Sequence, residues 1–169
     1  MGIIEFAMQM EKDGEAFYRK SAEATKEPAL KEIFLHLAEE EQRHFRLFKK
    51  ILEGELEGAE SELDGGSRAL DGTKNIFVKL TAENGGMVFG DDARLVWNEA
   101  LKIEEKAVKL YSEEATKERD PARKKLLDRI AAEERNHVYL IDNILSFMTD
   151  PEGFAESKKF SDFKSWEGH

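Results

Sequence analysis

Six residues of two types recur in a fixed order along the chain. Glu11 is followed by Glu41-Gln42-Arg43-His44, and Glu104 by Glu134-Arg135-Asn136-His137. The interval between the two glutamates is the same in each half. On a helix, a Glu-x-x-His pair puts its carboxylate and imidazole on one face. Four carboxylates and two imidazoles that converge can hold two divalent cations, since the four negative charges then balance. An oxygen-rich set with one nitrogen per ion suits Fe or Mn, with Zn also open.

The chain must supply helices whose inner faces carry these groups. Ile4, Ala7, Met8, Glu11, Gly14, Tyr18 and Ala22 form one stripe at helical spacing, and Ile33, Phe34, Leu37, Ala38, Glu41, His44, Phe48, Ile51 and Leu52 form a second. Trp97, Ala100, Leu101, Glu104, Ala107, Val108, Tyr111 and Ala115 make a third. Leu126, Leu127, Ile130, Ala131, Glu134, His137, Ile141 and Leu145 make a fourth. Pro28 and Asp120-Pro121 mark helix starts, and Pro151 an end. The expected helices run over about 3–25, 29–53, 92–118 and 121–149. Eight of the twelve glycines lie between Gly54 and Gly90. Residues 54–91 therefore read as a long crossover with at most one short helix, near Ile76-Phe77-Val78-Lys79-Leu80.

Short links make each helix pair an antiparallel hairpin. A helix of about 25 residues is about 38 Å long at 1.5 Å per residue, a span the long linker can cross, leaving the second and third helices parallel. The fold class is all-α, a ferritin-like four-helix bundle of two repeated hairpins joined by one long crossover. Repeat 1 covers about 3–53 and repeat 2 about 92–149, in one domain over 1–149. The tail, 150–169, carries Phe154, Phe160, Phe163 and Trp166, which are expected to dock on the bundle or on a partner subunit.

A gap-free shift that carries Glu11 onto Glu104 also pairs Tyr18 with Tyr111, Ala22 with Ala115, Pro28 with Pro121, Glu41 with Glu134 and His44 with His137. The halves read as copies related by a pseudo-two-fold axis. Every Glu and His of the two motifs falls in register with apolar neighbours, so four carboxylates point into an apolar interior. Unpaired there they would have to take up protons, and no Lys or Arg repeats at an inward position to neutralise them. One Glu from each of two helices plus Glu-x-x-His from the other two is the ligand set of di-iron and di-manganese bundles. The competing reading is a metal-free bundle whose charges face solvent.

Tyr18 and Tyr111 lie two turns from Glu11 and Glu104. They read either as core tyrosines with satisfied hydroxyls or as a candidate catalytic pair, bonded to a ligand carboxylate or redox-active beside it. Gly14 weakens its helix relative to Ala and, with its counterpart Ala107, leaves room beside the glutamates. Glu15, Glu40 and Glu133 are expected on a solvated face or behind the ligands, with an inward position also open to Glu15. His36 and His169 have no partner motif and are expected at the surface, and Trp97 in the core.

Composition excludes other classes. The 169 residues carry 36 acidic and 26 basic side chains, a formal charge of −10, so no basic surface for nucleic acid is expected. With no cysteine there is no disulfide, thiolate site or cysteine nucleophile. No apolar run is long enough to span a membrane. Met1–Met10 holds Glu5 and no basic residue, unlike a secretory signal, and a reducing cytoplasm is the expected location. The phosphate-binding GxGxxG and GxxxxGK[ST] and the hydrolase GxSxG motifs are missing.

At these residues the sequence resembles the rubrerythrin family of ferritin-like non-haem di-iron proteins. The resemblance is carried by Met10-Glu11-Lys12-Asp13-Gly14-Glu15-Ala16-Phe17-Tyr18, by Leu37-Ala38-Glu39-Glu40-Glu41-Gln42-Arg43-His44, and by their counterparts Ile103–Tyr111 and Ile130–His137. It covers about residues 3–148. By position it implies Glu11, Glu41, His44, Glu104, Glu134 and His137 as metal ligands. It implies an oxidoreductase that reduces hydrogen peroxide or dioxygen. Two features depart from the family. Its Cys-rich rubredoxin module has no counterpart, so electrons would come from a separate donor such as a rubredoxin-like protein. The family's additional third-helix Glu falls at Ala107, and Glu105 points about 100° away. Iron handling, as a ferroxidase or store, and a metal-stabilised binding bundle are the other readings. A homodimer is expected, with exchange of hairpins open to it.

Overall fold

Both hairpins begin their second helix in the same way. In this computed structural model, which describes residues 2–83 and 87–168, Glu27 accepts a bond from Ala29 N at 2.9 Å and Asp120 one from Ala122 N at 3.3 Å. Proline follows each cap, at the first helical position, where its missing N–H costs nothing. The hairpins are α1 (Ile3–Ala24) with α2 (Pro28–Leu52), and α5 (Asp91–Lys117) with α6 (Pro121–Thr149). No strand occurs among the described residues.

The crossover is more ordered than its glycine content suggests. It holds two helices, α3 (Leu56–Asp64) and α4 (Arg68–Glu83), where one short helix at most was expected. Gly54 and Gly66 take φ of +80° and +71°, the left-handed turns that end α2 and separate α3 from α4. Most other glycines of the segment sit inside or at the edges of helices held by packing. Ala59 and Leu63 of α3, and Thr73, Phe77, Leu80 and Thr81 of α4, are buried. Lys50 and Arg46 of α2 reach Glu62 of α3 at 2.8 and 3.2 Å.

Residue 11 faces 111 across α1 and α5, and 18 faces 104; these two helices are therefore antiparallel. With α1 antiparallel to α2, the second and third bundle helices run parallel, as the long crossover requires.

The tail folds back as α7 (Pro151–Ala155) and α8 (Lys158–Ser165), capped by Asp150 and Ser157. It docks on its own bundle. Phe154, Phe160 and Phe163 are buried, with the Phe163 and Phe154 rings 5.2 and 5.9 Å from Phe77 of α4, and Trp166 lies 4.8 Å from Tyr139 of α6. Trp97 is in the core as expected, stacked on Phe34 at 4.1 Å. His36 is a correction: it is half-buried and bonded to Thr73 Oγ1 at 3.0 Å, because α4 covers it. His169 lies outside the described residues. No described helix is long and apolar enough to cross a membrane.

The apolar interior is split. One cluster gathers Tyr18, Phe34, Leu37, Trp97 and Ile144 with the tail, the other Ile4, Leu47, Phe48, Tyr111 and Ile130. Between them lies a layer of buried acids and histidines. Phe163→Ala should cost about 3–5 kcal/mol, the usual loss for a buried ring, read as a lower urea midpoint. An unchanged midpoint would contradict tail docking.

Candidate metal centre

Each long helix contributes to the layer. Glu11 comes from α1, Glu41 and His44 from α2, Glu104 from α5, and Glu134 and His137 from α6. None is more than 3% exposed. Their ligand atoms fall into two groups, each within 4.8 Å: Glu11, Glu41, His44 and Glu134, and Glu41, Glu104, Glu134 and His137. Glu41 and Glu134 belong to both. The imidazole rings lie 5.6 Å apart. His44 Nδ1 is 2.8 Å from Glu134 and 3.9 Å from Glu11, while His137 Nδ1 is 3.3, 3.5 and 3.9 Å from Glu134, Glu104 and Glu41. The sequence reading thus has all six side chains meeting at one place, none facing solvent.

Whether these groups suit a pair of cations can be judged from their unpaired atoms. One oxygen of each of Glu11, Glu41, Glu104 and Glu134, and Nδ1 of His137, are buried without a hydrogen-bond partner. Such orphans are rare in native interiors. Here they cluster as donors of the kind hard and borderline divalent ions take, carboxylate oxygen and imidazole nitrogen. The residues fit a metal-binding cluster, with Glu41 and Glu134 common to both groups.

Electrostatics agree. Burial pushes the Glu41 and Glu134 carboxyls well above the ordinary range, and neighbouring carboxylates push further. Burial works the same way on Glu104, but the charge of His137 and bonds from its neighbours hold it well below. For His137, burial opposes the charged form, yet the adjacent Glu104 raises it to about 9. Without cations the layer keeps protons to limit its charge.

The tyrosines cross between halves. Tyr18 Oη donates to Glu104 Oε1 and Tyr111 Oη to Glu11 Oε1, each at 2.6 Å. Burial and these carboxylates push both hydroxyls well above their ordinary range, so they stay protonated donors. Gly14 faces Glu41: a Cβ there would stand 2.9 Å from Glu41 Oε2. The room that glycine leaves is filled by this carboxylate. Ala107 is buried on the same helix as Glu104, whereas Glu105 is exposed and cannot stand in for a further ligand.

Behind the layer lie residues whose part the spacing did not reveal. Glu133 accepts from His44 Nε2 at 2.8 Å and from Arg43 Nη1 at 2.6 Å. Burial would raise its carboxyl, but these bonds bring it down to about 2. Glu40, 3% exposed, lies 3.5 Å from Arg43. Glu15 pairs outward with Arg19 at 2.7 Å. A cavity of about 380 Å³, lined by Leu70, Asp71, Glu40, Glu133, Asn136 and His137, reaches the layer from the side of the crossover. Arg43 carried one weak signal in the sequence: it is next to His44 in a motif whose counterpart has Asn136, one of several mismatches between the two halves.

Loading the metal-free protein with Zn(II) in weak buffer near neutral pH should release protons. Glu41, Glu134 and His137 hold theirs more strongly than usual and must lose them to bind. Affinity should therefore fall as pH falls, and binding without proton release would contradict the assignment. Gly14→Ala should keep the helix content and lower ion affinity by about 10-fold or more by displacing Glu41, as read by calorimetry.

A family model described as Rubrerythrin matches residues 2–145. No curated protein and no solved structure gives a match. With a match over most of its length and a buried Glu/His cluster between four helices, the chain belongs to the rubrerythrin family.

Proposed function

We propose that this protein is a non-haem di-iron oxidoreductase that reduces hydrogen peroxide or dioxygen. The observation that carries the reading is the sharing of Glu41 and Glu134 between two four-residue ligand groups, with a buried, unpaired oxygen on each of the four glutamates. Glu11 and His44 would hold one ion, Glu104 and His137 the other, and Glu41 and Glu134 would bridge them. Two ferrous ions so held would supply two electrons and Lewis acidity, enough for the two-electron, two-proton conversion of peroxide to two waters.

The chain's own groups do the rest. Tyr18 and Tyr111 fix the terminal carboxylates Glu104 and Glu11 through their hydroxyl protons. The apolar clusters on either side keep bulk water from the layer. With no cysteine in the chain, electrons for the next cycle would come from a separate donor such as a rubredoxin-like protein.

Iron handling is the second reading, favoured by Ala107 where a further carboxylate would serve the usual peroxidase cycle, and by the acid-lined cavity. Anaerobic loading with Fe(II) followed by peroxide should give oxidation faster than that of free Fe(II), with about two irons per chain. Uptake of many irons per chain would favour storage instead. No acceleration, with only a raised melting temperature, would leave a metal-stabilised bundle and contradict the proposal. Tyr18→Phe should retain two ions and slow oxidation, because Glu104 loses its fixed donor while the fold keeps its ring.

A further inference from the structure

The repeat makes the two ion positions equal by sequence, but the groups behind them are not equal. Arg43 Nη2 donates to the backbone carbonyl of Glu62 on α3 at 3.2 Å, and Nη1 to Glu133 Oε2 at 2.6 Å. The same oxygen accepts from His44 Nε2 at 2.8 Å. A fixed chain thus runs from the crossover backbone through Arg43 and Glu133 to His44, and sets the ring so that Nδ1 faces Glu134 and Glu11.

Among the described residues, no such chain joins Asn136, Glu40 and His137 in the second half. The counterpart of Glu133 is Glu40 and that of Arg43 is Asn136. Glu40 lies beside Arg43 at 3.5 Å, drawn toward the first half's arginine. Among the described residues, the acidic oxygens within ion-pair distance of His137 all face Nδ1, and none faces Nε2. Its ring lines the 380 Å³ cavity. A ligand histidine whose far nitrogen donates to a carboxylate is oriented and made more basic, and loss of such a partner weakens metal binding by about 10–100-fold.

We propose that Arg43 and Glu133 act as positioning residues that anchor the ion held by His44, and that the ion held by His137 is the exchangeable one, reached through the cavity. This rests on the dinuclear reading above. It concerns which ion binds tightly, and does not depend on turnover.

Co(II) is the probe. Crystals of the metal-free protein given one equivalent of Co(II) should show the stronger anomalous peak against His44. Fully loaded protein mixed with excess EDTA should release its two ions at rates about 10-fold or more apart. Arg43→Asn, which gives the first half the residue of the second, should draw the two rates together, and Glu133→Gln should speed the slow one. Equal peaks, a stronger peak against His137, or one release rate in the wild type would overturn the inference while leaving the dinuclear centre intact. Fewer than two Co(II) bound at saturation would overturn the dinuclear reading and the inference with it. The wild-type map decides the matter even if a variant fails to fold.

Discussion

Four carboxylates held within a few ångströms of one another, out of water, cannot all be ionised unless cations sit among them. Taking one ion out of water costs several kcal/mol even after relaxation, and like charges this close repel strongly. The rest of the structure answers to that constraint. Two apolar clusters flank the layer instead of one continuous core, so water is kept away and the energetic demand is concentrated in one place. Protons on Glu41, Glu134 and His137 meet part of the demand in the metal-free fold. The orphaned oxygens show what protons leave unmet.

The doubled hairpin explains how so few elements assemble the layer. Each copy supplies one Glu, one Glu-x-x-His and one Tyr. The tyrosines then bond across to the other copy's glutamate, which ties the halves together at the site itself. Departures from symmetry matter as much. Gly14 and Ala107 differ by a methyl group, and at Gly14 that methyl would stand 2.9 Å from Glu41 Oε2. Arg43 and Asn136 differ in charge, and the difference places the Arg43 guanidinium against Glu133 and Glu40.

Much of this was legible in the sequence because helical periodicity is strict. Glu11 lies seven residues from both Ile4 and Tyr18, and that spacing alone puts it on the buried face. The same logic places Glu41, His44, Glu134 and His137 through their apolar neighbours. Of the crossover helices only the apolar stretch Ile76–Leu80 inside α4 was legible; α3 and the rest of α4 were not, because glycines weaken local helix preference and only packing onto α2 and α6 overrides it. The Glu133 contact to His44 was hidden for another reason. It joins helices far apart in sequence, and spacing alone leaves Glu133 open between a solvated face and a place behind the cluster until the partner helix is seen. The crossed tyrosine bonds were half visible: spacing gave the buried face, and only the fold gave the partner.

Whether six side chains hold two ions as one centre is decided by X-ray absorption at the iron edge of the iron-loaded protein. The expected spectrum has an iron–iron vector of about 3.5–4 Å, with oxygen-rich coordination and one imidazole per iron. A spectrum without any metal–metal vector, or with isolated irons in a fully hydrated shell, would contradict a shared centre.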